Sequence, residues 1–139
     1  MKFCKKILTL TLATLFMFML VIPSIAQEKE VAPVSDEFPH YATLSIDSNG
    51  LASMDYYCKG VEGVTTRIEI SSQIQKKTLW WWNDVDGGSY FFEKDSYECT
   101  FWNTKQLSKS GTYRLVVTYT VYGTGGAADV INSQVEASY

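Results

Sequence analysis

YRLVVTYTVY, residues 113–122, alternates Tyr113, Leu115, Val117, Tyr119 and Val121 with Arg114, Val116, Thr118, Thr120 and Tyr122. A period of two places the first set on one face of a β-strand and the second on the other, whereas a helix would mix them. β-branched and aromatic side chains also suit a pleated, half-buried surface. The stretch predicts a core strand with Tyr113, Leu115, Val117, Tyr119 and Val121 facing inward.

Working outward, Gly123-Thr124-Gly125-Gly126 predicts a loop, and residues 129–137 return as a strand with Ile131, Ser133, Val135 and Ala137 on one side. Upstream, residues 41–47 set Ala42, Leu44 and Ile46 on one face. Asn49-Gly50 is a hairpin signal before residues 51–59, where Ala52, Met54, Tyr56 and Cys58 share a face. Residues 65–76 oppose Ile68, Ile70 and Ile74 to Arg67, Glu69, Ser71, Gln73 and Gln75. Further strands are predicted over 79–85, 89–92 and 97–102, with Asp86-Gly87-Gly88 as the turn between the first two. No helix-period segment or repeat follows the first 26 residues. Short strands of this kind cannot bury their apolar faces in one open layer. The fold class is therefore all-β: a two-layer antiparallel sandwich over residues 41–139, with an eight-stranded barrel as the alternative.

Leu107-x-x-x-Gly111-x-Tyr113 resembles the tyrosine corner of immunoglobulin-like and fibronectin-like sandwiches, in which the tyrosine hydroxyl bonds back to the chain just upstream. Antibody domains carry a cysteine two residues after that tyrosine; here the position is Leu115. The pieces Ile68-Glu69-Ile70, Ile74-Gln75-Lys76 and Gly111-Thr112-Tyr113-Arg114 are also similar to a group of short uncharacterised exported proteins of Gram-positive bacteria. That likeness implies a fold and a compartment, and no activity.

Residues 1–26 have the layout of a cleaved signal peptide: lysines at 2, 5 and 6, an apolar run over 7–22, and Pro23-Ser24-Ile25-Ala26 before the cut. The apolar run is shorter than the roughly 20 residues a membrane helix needs. Residues 27–40, with two prolines and no period, predict an extended arm. Export removes three of 12 basic residues and leaves nine against 15 acidic ones, a net of about −6. With such a leader the chain is expected to be secreted, and a surface so charged is expected to repel nucleic acid and anionic lipid. Cys58 and Cys99 are expected to pair as a disulfide, closing a loop of about 40 residues at a gain of roughly 4 kcal/mol.

The chain reads as non-catalytic, with no cofactor and no metal. Its one histidine, His40, falls in the arm and no serine has a G-x-S-x-G context. Asp84-Val85-Asp86-Gly87-Gly88 opens like a calcium loop but has Ser89 where glycine is needed. Trp80-Trp81-Trp82 is the unusual feature. On a strand Trp81 opposes its two neighbours, so one phase exposes Trp80 and Trp82 about 7 Å apart and the other exposes Trp81. Such indoles, with Asn83, Gln73 and Gln75 beside them, would stack on sugar rings of an extracellular polysaccharide. The competing readings are an edge strand covered by the arm or by Tyr90, Phe91 and Phe92, and a protein or homodimer interface. Phe101 and Trp102 are assigned to the core.

Overall fold

The structure is a computed structural model describing residues 38–139; the predicted signal peptide (1–26) and all but the last three residues of the predicted arm (27–40) lie outside the described residues. The strands are β1 (His40–Ile46), β2 (Leu51–Lys59), β3 (Thr65–Thr78), β4 (Trp81–Lys94), β5 (Glu98–Gln106), β6 (Thr112–Gly123) and β7 (Asp129–Ser138). They form a three-stranded sheet in the order β1-β2-β5 and a four-stranded sheet in the order β4-β3-β6-β7, with every pairing antiparallel.

The inner faces share one core. Ile68, Ile70 and Ile74 of β3 and Tyr113, Leu115, Val117, Tyr119 and Val121 of β6 meet Met54, Tyr56 and Cys58 of β2 and Leu44 of β1. The β6 alternation is realised residue for residue. Two tyrosine hydroxyls tie the layers together: Tyr119 donates to the Tyr41 carbonyl at 2.6 Å, and Tyr56 shares a bond of 2.9 Å with Ser72. The Tyr113 hydroxyl donates to the Lys109 carbonyl, four residues upstream, as the corner motif requires.

Asn49-Gly50 turns the chain between β1 and β2. Asp47 Oδ1 accepts from the Asn49 and Leu51 amides, and Gly50 takes φ 80° with Tyr139 and the Leu107 carbonyl where a Cβ would stand. Only glycine suits both demands.

Three expectations are corrected. His40 belongs to β1, not to an arm; its ring stands 5.6 Å from that of Tyr119, and Nδ1 lies 2.8 Å from the Phe38 carbonyl. Asp86-Gly87-Gly88 does not separate two strands: Gln73 faces Ser89 and Gln75 faces Asp84, so residues 85–88 all stand opposite Ile74 as a bulge within the continuous β4. Cys58 and Cys99 are directly opposed on β2 and β5, yet the expected disulfide is not formed and both are buried free thiols. Burial, with Cys99 alongside, pushes the Cys58 thiol up to about 11, and only the thiolate attacks an oxidant.

Candidate binding surfaces

Two aromatic surfaces emerge from this frame, and the first is the end of the β3–β4 hairpin. Lys76 is the last β3 residue paired with β6, opposite Tyr113; beyond it β3 pairs with β4 alone. The hairpin therefore stands past the sheet. Its turn is Leu79-Trp80, since Thr78 pairs with Trp81. Leu79 takes φ 53°, a conformation that L side chains avoid and that hairpins usually give to glycine or asparagine. Leu79, Trp80 and Trp81 are 85%, 89% and 75% exposed.

The structure divides the residues expected to act together. Trp82, Gln73 and Gln75 share the outer face of the four-stranded sheet, while Trp81 and Asn83 point to its other side and Trp80 caps the turn. Trp82 is clamped there. The Arg114 guanidinium lies 4.5 Å and Lys77 Nζ 5.6 Å from its ring. Arg114 Nε also donates to Gln75 Oε1 at 2.7 Å, and Gln75 Nε2 donates to Asp84 Oδ1 at 2.8 Å. Gln73 Nε2 donates to the Ile74 carbonyl at 2.7 Å, and Gln73 Oε1 accepts from Ser89. Both amides are thus engaged in holding the base of the hairpin. Trp81, which one of the two strand phases would expose, is open because the hairpin has outrun the opposite layer, and Trp80 is open beside it because it lies in the turn and not on a strand.

The second surface is the outer face of the three-stranded sheet. Register places its side chains in three rows across β1, β2 and β5: Tyr41, Tyr57, Thr100; Thr43, Asp55, Trp102; and Ser45, Ser53, Thr104. Strands ~4.8 Å apart and rows ~7 Å apart make a patch about 10 Å by 14 Å. Trp102, assigned to the core from the sequence, is 69% exposed, while Phe101 beside it packs on Phe92 and Tyr56. The Tyr41 and Tyr57 rings stack with centroids 5.2 Å apart. Tyr57 donates to Glu98 Oε1 at 2.9 Å, and that bond holds its phenol above the usual range, hence neutral at physiological pH. Thr43 Oγ1 donates to Asp55 Oδ2 at 3.2 Å. This grid carries three aromatic rings, five hydroxyl side chains, one carboxylate and no lysine or arginine. Alternation places each of these side chains outward, Trp102 included, against its assignment to the core; the sequence also did not reveal that β1, β2 and β5 are neighbours.

An open cleft of about 430 Å³ lies between the base of the hairpin and the stretch after β5, lined by Lys76, Thr78, Asn83, Asp86, Lys105 and Tyr113 among others. Lys76 crosses its mouth, donating to the Ser110 carbonyl at 3.0 Å with Nζ 5.3 Å from the Tyr113 ring. His40 is at the opposite end of the sheets, beside Cys58. Among the described residues no group of three or more His, Cys, Asp or Glu is placed to hold a metal ion. Comparison with protein-family models, curated proteins and solved structures finds no match.

Proposed function

We propose that this protein is a secreted, non-catalytic binding module with an immunoglobulin-like, fibronectin-like sandwich, and that it binds extracellular polysaccharide on the outer face of the three-stranded sheet. The apolar leader sequence supports export. The split of strands into β1-β2-β5 and β4-β3-β6-β7, together with the Tyr113 to Lys109 bond, supports the fold assignment.

The observation that carries the ligand assignment is the grid around Trp102. Sugars present apolar ring faces edged by hydroxyls, so a matching surface needs aromatic area for stacking and short polar groups beside it. Trp102, Tyr57 and Tyr41 supply the first, and Asp55, Thr43, Thr100 and Thr104 the second, on strands held rigid by pairing. This moves the binding site away from Trp80, Trp81, Trp82, Asn83, Gln73 and Gln75, which the fold divides among two faces and a turn.

Soluble wall-type and plant-type glycans titrated against tryptophan emission test the reading. Trp102→Ala should weaken binding about tenfold, close to the ~1.4 kcal/mol one stacked ring contributes, and Tyr57→Ala by a smaller factor. Emission that no glycan changes, or a Trp102→Ala chain that binds as wild type does, overturns it. Sedimentation of the free chain addresses the alternative of a protein interface: a concentration-dependent dimer lost in Trp102→Lys would favour that role for the same patch.

A further inference from the structure

We infer that the tip of the β3–β4 hairpin is a membrane-contact element, in which Leu79, Trp80 and Trp81 enter the boundary between headgroups and acyl chains of an anionic bilayer while Lys77, and Lys76 on releasing the Ser110 carbonyl, meet its phosphates. This goes beyond the polysaccharide reading and does not rest on it, since the two surfaces share no residue.

The order of side chains along the hairpin is the first support. From the apex, Leu79 and Trp80 are followed by the pair Thr78–Trp81, then Lys77–Trp82, then Lys76–Asn83. At ~3.4 Å per residue the lysines stand about 7–10 Å behind the apex. Surface-seated amphipathic elements sink their apolar side chains about 5–10 Å, indoles prefer the headgroup level, and lysines reach back to phosphates. Apolar, aromatic and cationic side chains therefore follow one another along the hairpin in the order in which a bilayer surface presents its layers.

Charge is the second support. Residues 76–83 hold two lysines and no carboxylate, in a chain whose formal net charge is −3. Of the eight lysines and arginines among the described residues, five (76, 77, 105, 109 and 114) lie at this end of the sheets. Four of the eleven described side-chain carboxylates (47, 84, 86 and 136) lie there too, so the side chains at this end carry a small positive excess while the other seven carboxylates, and with them the net negative charge expected to repel anionic lipid, lie elsewhere. Local complementarity acts within a Debye length of about 8–10 Å, and that is the distance over which a docked tip would sense a membrane.

The third support is that folding gives no reason for this turn. Leu79 holds a left-handed backbone and is 85% exposed, so it buries nothing in return for the strain. Glycine or asparagine would close the same hairpin at lower cost. A bilayer would accept the leucine that the protein itself leaves in water.

The test uses the secreted chain with vesicles of phosphatidylcholine, alone or mixed 3:1 with phosphatidylglycerol. No tryptophan precedes Trp80, so indole signals report the domain and not the leader. Co-sedimentation with the mixed vesicles, with quenching of emission by lipids brominated near the headgroup, is the expected result. Leu79→Ser with Trp80→Ser, at a solvent-exposed turn, should leave the thermal midpoint within a few degrees and lower vesicle affinity at least tenfold. Lys76→Gln with Lys77→Gln should lower it several-fold, as should 0.5 M salt. Absence of sedimentation with the mixed vesicles, equal binding to phosphatidylcholine alone, or wild-type binding by the Leu79/Trp80 variant would each overturn the proposal. Loss of glycan binding in the Leu79/Trp80 variant while vesicles are ignored would assign the tip to polysaccharide instead.

Discussion

The two aromatic surfaces differ in what stands behind them. Trp102 and Tyr57 rise from a sheet whose other side is packed against Phe92, Ser72 and Tyr119, and each has strand neighbours in fixed register. Leu79, Trp80 and Trp81 have only the width of one hairpin, and an isolated two-stranded ribbon is marginal in water. What steadies that ribbon is at its base: Trp82 under Arg114 and Lys77, and the Arg114–Gln75–Asp84 chain. A flat surface borrows its rigidity from the core, whereas a projecting one must carry its own clamp. Recognition of a shaped ligand suits the former, and a soft surface tolerates the latter.

The contrast can be broken most severely from the core. Leu115→Ala removes a fully buried side chain next to Arg114 and should cost about 2–5 kcal/mol, read by urea unfolding. Both surfaces should fail together; a tip that keeps its own indole signal after the sheets unfold would show the hairpin to be independent of them.

The next effect is chemical. With the Cys58 thiol raised to about 11, its thiolate fraction at pH 8 is about a hundredfold below that of an ordinary thiol, so an aromatic disulfide reagent should react at least that much more slowly with the native chain than with the urea-unfolded one. Failure to react even in urea would mean that the chain carries a cystine.

The same buried layer should make the protein sensitive to alkali. Burial raises Cys58 to about 11 and Tyr56 to about 12, and pushes Tyr119 higher still. Groups raised in the folded state hold their protons after the unfolded chain has released them, so their contribution is complete below about pH 9 and declines as pH climbs through the folded values. The thermal midpoint should be flat through neutrality and fall from about pH 9 upward. A midpoint unchanged at pH 11 would contradict the burial of these groups beneath the Trp102 face.

The smallest effect sharpens the comparison most. Leu79→Gly should raise stability by up to about 1 kcal/mol by removing the left-handed leucine, less whatever the unfolded chain gains in freedom, while weakening vesicle binding. The equivalent change on the flat face, Trp102→Ala, should alter stability by less than about 0.5 kcal/mol. A Leu79→Gly chain less stable than wild type would mean that the tip packs on something within the molecule.

How much of this was written legibly in the chain follows from the kind of signal each element carries. Strand β6 was read in full because its pattern is long and its core face unbroken. The Asp47–Gly50 turn and the Tyr113 corner were read because each depends on a residue with special chemistry. The β3–β4 turn was missed for the converse reason: Leu79-Trp80 contains no glycine, asparagine or proline, while the nearby Asp86-Gly87-Gly88 has all the marks of a turn and is a bulge. The Trp102 grid was hidden because Trp102 was assigned to the core with Phe101, although adjacent strand residues face opposite ways, and because alternation does not say which strands lie together. Pairings between segments as distant as β2 and β5 are set by the whole core.

The bulge at residues 85–88 carries one more consequence. β4 is the outermost strand of its sheet, and a long exposed border of this kind normally invites a second chain to join by backbone bonding. Four residues set against one, with Gly87 at φ 60°, break that border into two short pieces that no straight segment can follow. A ribbon growing from this margin would be interrupted after a few rungs, which leaves the unbroken border of β7 as the sheet's other edge.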